Sequence, residues 1–343
     1  SPLINNILIS AMITGTMITM TSNHWLLAWL GLEINMMAIV PLISKTHHPR
    51  ATEATIKYFL AQTGASLLML FSSCINAWHS GTWDITQLTN PLACTTLTIA
   101  LCMKIGLTPM HLWLPEVMQG TTLKTALIIA TWQKLAPMSL IIMTANSHSK
   151  FLLMTMATLS ILVGGWGGIN QTQLRKIMAY SSIANMGWMI IILQQAPKLT
   201  TLTLLLYILM TTTLFMTLMP QKTKTIKTIG TTWMLSPSLT TIMMLTLTSL
   251  GGLPPMTGFM PKWLILEKLM SENMTPLATA TAMATLLSLF FYLRLFYSTT
   301  MMIFPNTATA TQKWRHQMKT TTIMMLTTPA ALMLLPILPI TTP

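Results

Sequence analysis

Long apolar runs, spaced by short polar connections almost from end to end, constrain this chain more than any other feature. They fall at 3–21, 24–44, 52–79, 91–107, 121–143, 150–169, 174–194, 199–219, 237–272, 276–303 and 321–340. Only 7% of the residues are charged, against roughly a quarter in soluble domains. A water-facing surface cannot be built from so few charges, which excludes a soluble enzyme. In a bilayer every backbone polar group must be satisfied internally, so only helices and closed barrels span it. Barrel strands need ~10 residues of alternating polarity. The runs here are continuous and of helix-spanning length, ~20 residues each. The sequence therefore predicts an all-α polytopic membrane protein of about eleven transmembrane helices.

The net charge of +13 would suit nucleic acid, but the Lys and Arg are scattered between apolar runs and form no basic face. They fit a topology signal better. With eleven crossings, alternate loops hold Lys45 and Arg50; Lys124; Arg175 and Lys176; Lys222, Lys224 and Lys227; and Lys313, Arg315 and Lys319. The opposite loops hold little beyond Lys150 and Lys198. Under the positive-inside rule the N-terminus lies on the inner side and the C-terminus outside. The first run has the length of a span and no cleavable-signal pattern. Cys74, Cys94 and Cys102 show no metal-ligand spacing, so a metal or iron–sulfur site is not expected. Neither a dinucleotide glycine fingerprint nor a Walker lysine loop is present.

Two runs are interrupted. The fourth breaks at Gly106 and Pro109, beside Lys104; the ninth breaks across Gly251-Gly252-Leu253-Pro254-Pro255 to Gly258, Pro261 and Lys262. Proline removes a donor and clashes with the carbonyl four residues back. Broken helices at membrane depth are tolerated where they line a wet cavity or pack in protein, and matching breaks in two halves point to inverted repeats with a transport site. The expected organisation is a five-helix unit over 1–145, a second, inverted, over 150–303, and a linker with a last helix over 304–343.

An ionisable group at mid-bilayer costs about 3 kcal/mol or more, so such residues are candidates for function. Glu33, Lys104, Lys134 and Lys262 are the candidates here, with His111 added for the range in which imidazole titrates. Because burial disfavours the charged form and a nearby opposite charge restores it, one carboxylate with several lysines along a wet path is a minimal proton relay. The plainer readings are a structural Glu33–Lys104 ion pair, a helix-surface pair of Glu53 with Lys57, an interface anchor in Arg294, and solvated loop histidines at His24, His47 and His48.

The motifs that hold these residues resemble the mitochondrial NADH dehydrogenase subunit 2 family, the antiporter-like subunits of respiratory complex I, in a vertebrate-like form. They are Gly31-Leu32-Glu33-Ile34-Asn35-Met36, Pro49-Arg50-Ala51-Thr52-Glu53-Ala54, Met103-Lys104 through Pro109 and His111 to Trp113, Trp132-Gln133-Lys134-Leu135-Ala136-Pro137, Gln171-Thr172-Gln173-Leu174-Arg175-Lys176 and Leu250-Gly251-Gly252-Leu253-Pro254-Pro255 through Lys262-Trp263. Met110 and Leu112 depart from the Phe that relatives often carry. The resemblance implies eleven helices in two inverted repeats with discontinuous helices. It implies proton translocation driven by electron transfer elsewhere, through Glu33, Lys104, Lys134 and Lys262. No cofactor is implied in this chain; NADH, FMN, iron–sulfur clusters and ubiquinone would sit in other subunits. The implied partners are other membrane-arm subunits, including neighbouring antiporter-like ones, and lipids such as cardiolipin. The implied location is the mitochondrial inner membrane, with the N-terminus in the matrix and the C-terminus in the intermembrane space. A stand-alone cation/proton antiporter is the alternative, and a scaffold without transport would not need mid-span charges.

Overall fold

The computed structural model describes residues 2–45, 47–221, 223–300 and 322–337. Lys222, Lys313, Arg315 and Lys319, and most of the 304–343 segment, lie outside them. Every regular element among the described residues is helical. Seven stretches are long and apolar enough to cross a membrane: Pro2–Thr21, Trp25–Ser44, Pro49–Ser80, Leu123–Met143, Lys150–Ile169, Pro197–Gln221 and Thr275–Thr300. The chain divides into two compact units, Ser1–Ser160 with Leu193–Pro197, and Ile161–Ile192 with Lys198–Pro343.

In the first unit α1 (Pro2–Thr21) packs along α2 (Trp25–Ser44). A Cβ on Gly31 would lie 2.8 Å from the Gly15 carbonyl oxygen, so the two backbones meet at a distance that only glycine permits. α3 (Pro49–Ser80) packs on α2, on α4 (Pro91–Ile105) and on α5 (Trp113–Gly120). Two of the histidines read as solvated also cap helices. His24 Nδ1 accepts from the Leu26 amide and His48 Nδ1 from the Arg50 amide, each at 3.2 Å, because the first amides of a helix lack intrahelical partners.

The segment 121–143, read as one helix, is two: α6 (Leu123–Ala130) and α7 (Trp132–Met143). Thr131 departs from helical geometry, with φ −114° and ψ −70°. Its hydroxyl donates back to the Leu127 carbonyl at 2.8 Å, a competing bond that bends helices. Beyond α7, the loop histidine His148 is buried, with Nε2 2.7 Å from Thr144 Oγ1. Gln194 Nε2 donates to the His148 carbonyl at 2.6 Å. Burial pushes the His148 imidazole down to about 4, against a smaller opposing effect of the Cys94 backbone.

α8 (Lys150–Ile169) leads into the second unit, which holds α9 (Leu174–Ile191), α10 (Pro197–Gln221), α11 (Ile226–Gly230), α12 (Thr232–Leu235), α13 (Pro237–Gly251), α14 (Phe259–Ser271), α15 (Thr275–Thr300) and α16 (Thr322–Met333). α15 is its centre and touches α9, α11, α13 and α14. Arg294 is not a free interface anchor. Its guanidinium donates to the Ile169 carbonyl at 2.6 Å, capping the C-terminal end of α8.

The two breaks share one local geometry. α4 and α13 each begin on a proline and run for 15 residues. Gly106 follows α4 at φ 84° and ψ 43°; Gly252 follows α13 at φ 82° and ψ 41°. This left-handed conformation is open to glycine and strained for other residues. The residues after each glycine run parallel: Leu107, Pro109, Met110, Trp113 and Pro115 in the first; Leu253, Pro255, Met256, Phe259 and Pro261 in the second.

Candidate functional site

The first break sets the position of Lys104. It lies in the last turn of α4 and is 7% exposed. The end of this half-helix is closed by its surroundings: Trp113 Nε1 donates to the Met103 carbonyl at 3.1 Å, and Gln62 Nε2 to the Lys104 carbonyl at 3.4 Å. Across from it, Lys134 sits in the first turn of α7, 3% exposed. Its Nζ has no hydrogen-bond partner within the protein.

Lys104 and Lys134 line one cavity of about 20 Å³. Its remaining polar wall is Asn35, Tyr58, Gln62 and Gln133. Buried polar groups with few protein partners, around a space with room for about one water, are the setting in which proteins hold ordered water. Glu33 lies on α2, half-buried, and does not line the cavity. The expected alternative of a structural contact pair is not what the geometry shows. Among the described residues Glu33 and Lys104 form no ion pair, although the carboxylate acts electrostatically on the amine.

The second break places Lys262 in the first turn of α14. Its Nζ donates to the Gly251 carbonyl at 2.8 Å and to that of Leu250 at 3.4 Å. It lines a second cavity, of about 30 Å³, with Asn185, Trp188, Tyr207, Met210 and Gly258. Lys262 and the Lys104–Lys134 pair thus belong to different units, each with its own cavity.

His111 is not drawn into the first cavity. It lies in the turn between α4 and α5, with Nδ1 3.2 Å from the Pro109 carbonyl oxygen. Lys57 does more than pair with Glu53 on its own helix. It also reaches Glu116 on α5 at 2.7 Å, tying the half-helix beyond the first break to α3. Cys94 and Cys102 are buried and Cys74 exposed, all as free thiols. Among the described residues no group of three or more His, Cys, Asp or Glu could hold a metal ion.

A search for charges overlooks the neutral polar residues of the first cavity. Gln133 Nε2 donates to Asn35 Oδ1 at 2.7 Å, and Tyr58 OH makes a long bond of 3.5 Å to Gln133 Oε1. Their signal in the sequence is faint: an Asn two residues after Glu33, a Gln just before Lys134, and a Gln five residues after Lys57.

A family model for the transmembrane domain of NADH:quinone oxidoreductases and Mrp antiporters matches residues 22–288, and one for the C-terminus of NADH dehydrogenase subunit 2 matches residues 289–342. The chain is 54% identical over 343 residues to NADH-ubiquinone oxidoreductase chain 2 of Oncorhynchus mykiss, covering 100% of this chain and 98% of the relative. The counterpart in Carassius auratus is 55% identical over 340 residues, 99% of this chain and 98% of that one. In fold the chain is similar to a chain of respiratory complex I from Thermus thermophilus, with a TM-score of 0.85 at 23% identity, covering 98% of this chain and 79% of that chain.

Proposed function

The chain belongs to the NADH dehydrogenase subunit 2 family, and on that basis we propose that it is a membrane subunit of a proton-translocating NADH:ubiquinone oxidoreductase, complex I, working as an antiporter-like proton channel driven by electron transfer elsewhere in the complex. The observation that carries the reading is the shared cavity of Lys104 and Lys134, two buried amines facing one polar space beside a broken helix.

The chemistry is proton transfer between amines. Glu33 acts on Lys104 from outside the cavity. When Glu33 moves away or is screened, its attraction for the Lys104 ammonium is lost. Lys104 then hands a proton into the cavity, where Lys134, with no competing hydrogen bond in the protein, accepts it. Lys262 is the corresponding carrier of the second unit. His111, in the turn between α4 and α5 and outside the first cavity, is a further relay group in this reading.

The finer organisation follows the same reading. Eleven crossings in two inverted five-helix repeats, over 1–145 and 150–303, with a C-terminal helix in 304–343, are supported by the matched geometry at Gly106 and Gly252. Lys45, Arg50, Lys124, Arg175 and Lys176 favour an N-terminus on the matrix side of the mitochondrial inner membrane. NADH, FMN, iron–sulfur clusters and ubiquinone are then the business of other subunits. The neighbours are other membrane-arm subunits and lipids such as cardiolipin. Names of the relatives favour this over a stand-alone cation/proton antiporter.

A native gel of gently solubilised inner membrane, stained for NADH oxidation and probed for this chain by mass spectrometry, tests the proposal. Comigration with the large NADH-oxidising band is expected. Migration in a small band without that activity would overturn it in favour of the independent antiporter.

A further inference from the structure

The first cavity is spanned by a hydrogen-bonded amide pair that the lysine chemistry does not explain. Gln133 on α7 donates through Nε2 to Asn35 Oδ1 on α2 at 2.7 Å. Its Oε1 faces Tyr58 OH of α3 at 3.5 Å. Asn35 and Tyr58 are both buried, and all three side chains line the cavity shared by Lys104 and Lys134. The bond therefore joins the helix of Glu33 to the helix of Lys134 through the space the two amines face.

An amide cannot serve as a relay at neutral pH, since it neither releases nor accepts a proton there; its donors and acceptor can only order water. With Gln133 and Asn35 bonded to each other, one N–H of Gln133 and one lone pair of Asn35 Oδ1 are withdrawn from any water chain in the cavity. Resting on the proton-channel reading above, we propose that the Asn35–Gln133 pair is the gate of the first cavity and that Gln133 is a positioning residue for proton transfer. Paired, the amides interrupt hydrogen-bonded water between the lysines. Parted, each offers a donor and an acceptor to that water, and a proton crosses. Net, one N–H bond breaks at Lys104, one forms at Lys134, and the intervening water is unchanged.

A gate and a brace respond differently to substitution. Gln133→Met keeps the length of the side chain and removes its polarity, leaving an apolar plug. Gln133→Ser removes the bulk and leaves a hydroxyl, so water enters freely. The intact complex carrying each variant, reconstituted in liposomes, is assayed for NADH:quinone turnover, for its stimulation by an uncoupler and for protons moved per NADH. NADH oxidation with a soluble acceptor reports the amount of assembled complex.

Gln133→Met is expected to slow quinone-linked turnover about tenfold with uncoupler stimulation retained. Gln133→Ser is expected to keep turnover near that of the parent while uncoupler stimulation and the proton ratio fall by about half or more. Effects in the same direction for both, or none for either, overturn the gate. Should a Gln133 variant not assemble, Asn35→Leu and Asn35→Ser put the same opposed question to the other half of the pair; failure of those to assemble as well makes the pair a structural brace and overturns the proposal. Lys134→Met separates the two levels. If that variant pumps normally, the channel reading of this cavity fails, whereas loss of pumping there beside unaltered Gln133 variants removes only the gate.

Discussion

The Lys262 side chain closes the half-helix that precedes it in sequence, its Nζ standing 2.8 Å from the carbonyl oxygen of Gly251. An unpaired carbonyl at a helix end is a natural seat for a cation. The same amine thus braces the second break and faces the second cavity. Lys262→Arg and Lys262→Met pull these roles apart. Arginine still donates to carbonyls but does not give up its proton in proteins, so it is expected to preserve assembly and abolish proton transfer through this unit. Methionine is expected to impair both. Thermal denaturation of the complex beside proton pumping in liposomes checks this, and normal pumping with arginine would remove Lys262 from the proton path.

Lys134 presents the opposite case, a buried amine with no hydrogen bond to the protein. Holding such a group in the core works against folding, and apolar replacement of buried charge is often neutral or stabilising. Lys134→Met is therefore expected to leave the thermal midpoint of the complex unchanged or higher while coupled turnover falls about tenfold or more. A clear drop in the midpoint would show the amine to be a structural tie, not a proton carrier.

Neighbouring glycines at the second break should differ sharply. Gly252 has φ 82°, and a Cβ there would lie 2.9 Å from Lys262 Nζ. Gly251 ends the helix, and its Cβ would meet only Tyr292 atoms at 3.8 Å. Gly252→Ala is expected to destabilise by about 1–2 kcal/mol from the left-handed backbone alone. Gly251→Ala is expected to be neutral or slightly stabilising. Midpoints of thermal unfolding for the two variants, side by side, check this, and equal midpoints would show that the site does not require glycine at 252.

The loop histidine gives a pH dependence of known sign. His148 is held down to about 4 by burial, against an ordinary value near 6.5. Above about pH 6.5 it is neutral whether folded or not, and contributes no pH dependence. Between about 6.5 and 4 the unfolded chain binds a proton that the folded chain refuses, so stability falls as the pH drops through that window. Replacing His148 by Gln should flatten the acid side of the midpoint-versus-pH curve relative to the parent. An unchanged difference between pH 7 and pH 5 would mean that the imidazole is solvated.

Much of this architecture could be read from residues alone because its signals are local. A proline four residues past a carbonyl, or a glycine after a lysine in an apolar run, marks a break by sequence distance, and both breaks lie where they were expected. The ionisable residues stood out because a charge in an apolar run is costly to hold in a bilayer. What stayed hidden depends on distant neighbours. Glu53 announces Lys57 by helical spacing, but Glu116 reaches it from another helix. Asn35 and Gln133 carry no charge to draw the eye and acquire meaning only when α2 and α7 bring them together. The bend at Thr131 carries no sequence signal of its own: threonines with the same hydroxyl bond to the previous turn, Thr63 and Thr211 among them, sit in unbroken helices.

The paired breaks also bear on how these helices can move. A continuous helix behaves as a rod: a push at one end displaces the whole length. α13 stops at Gly251 and α14 starts at Phe259, and the backbone between them is held by isolated turns. α4 and α5 are separated in the same fashion. Each is therefore a jointed strut whose pivot falls beside its lysine. A rotation at such a joint would re-aim the amine beside it without displacing the far end of either half-helix.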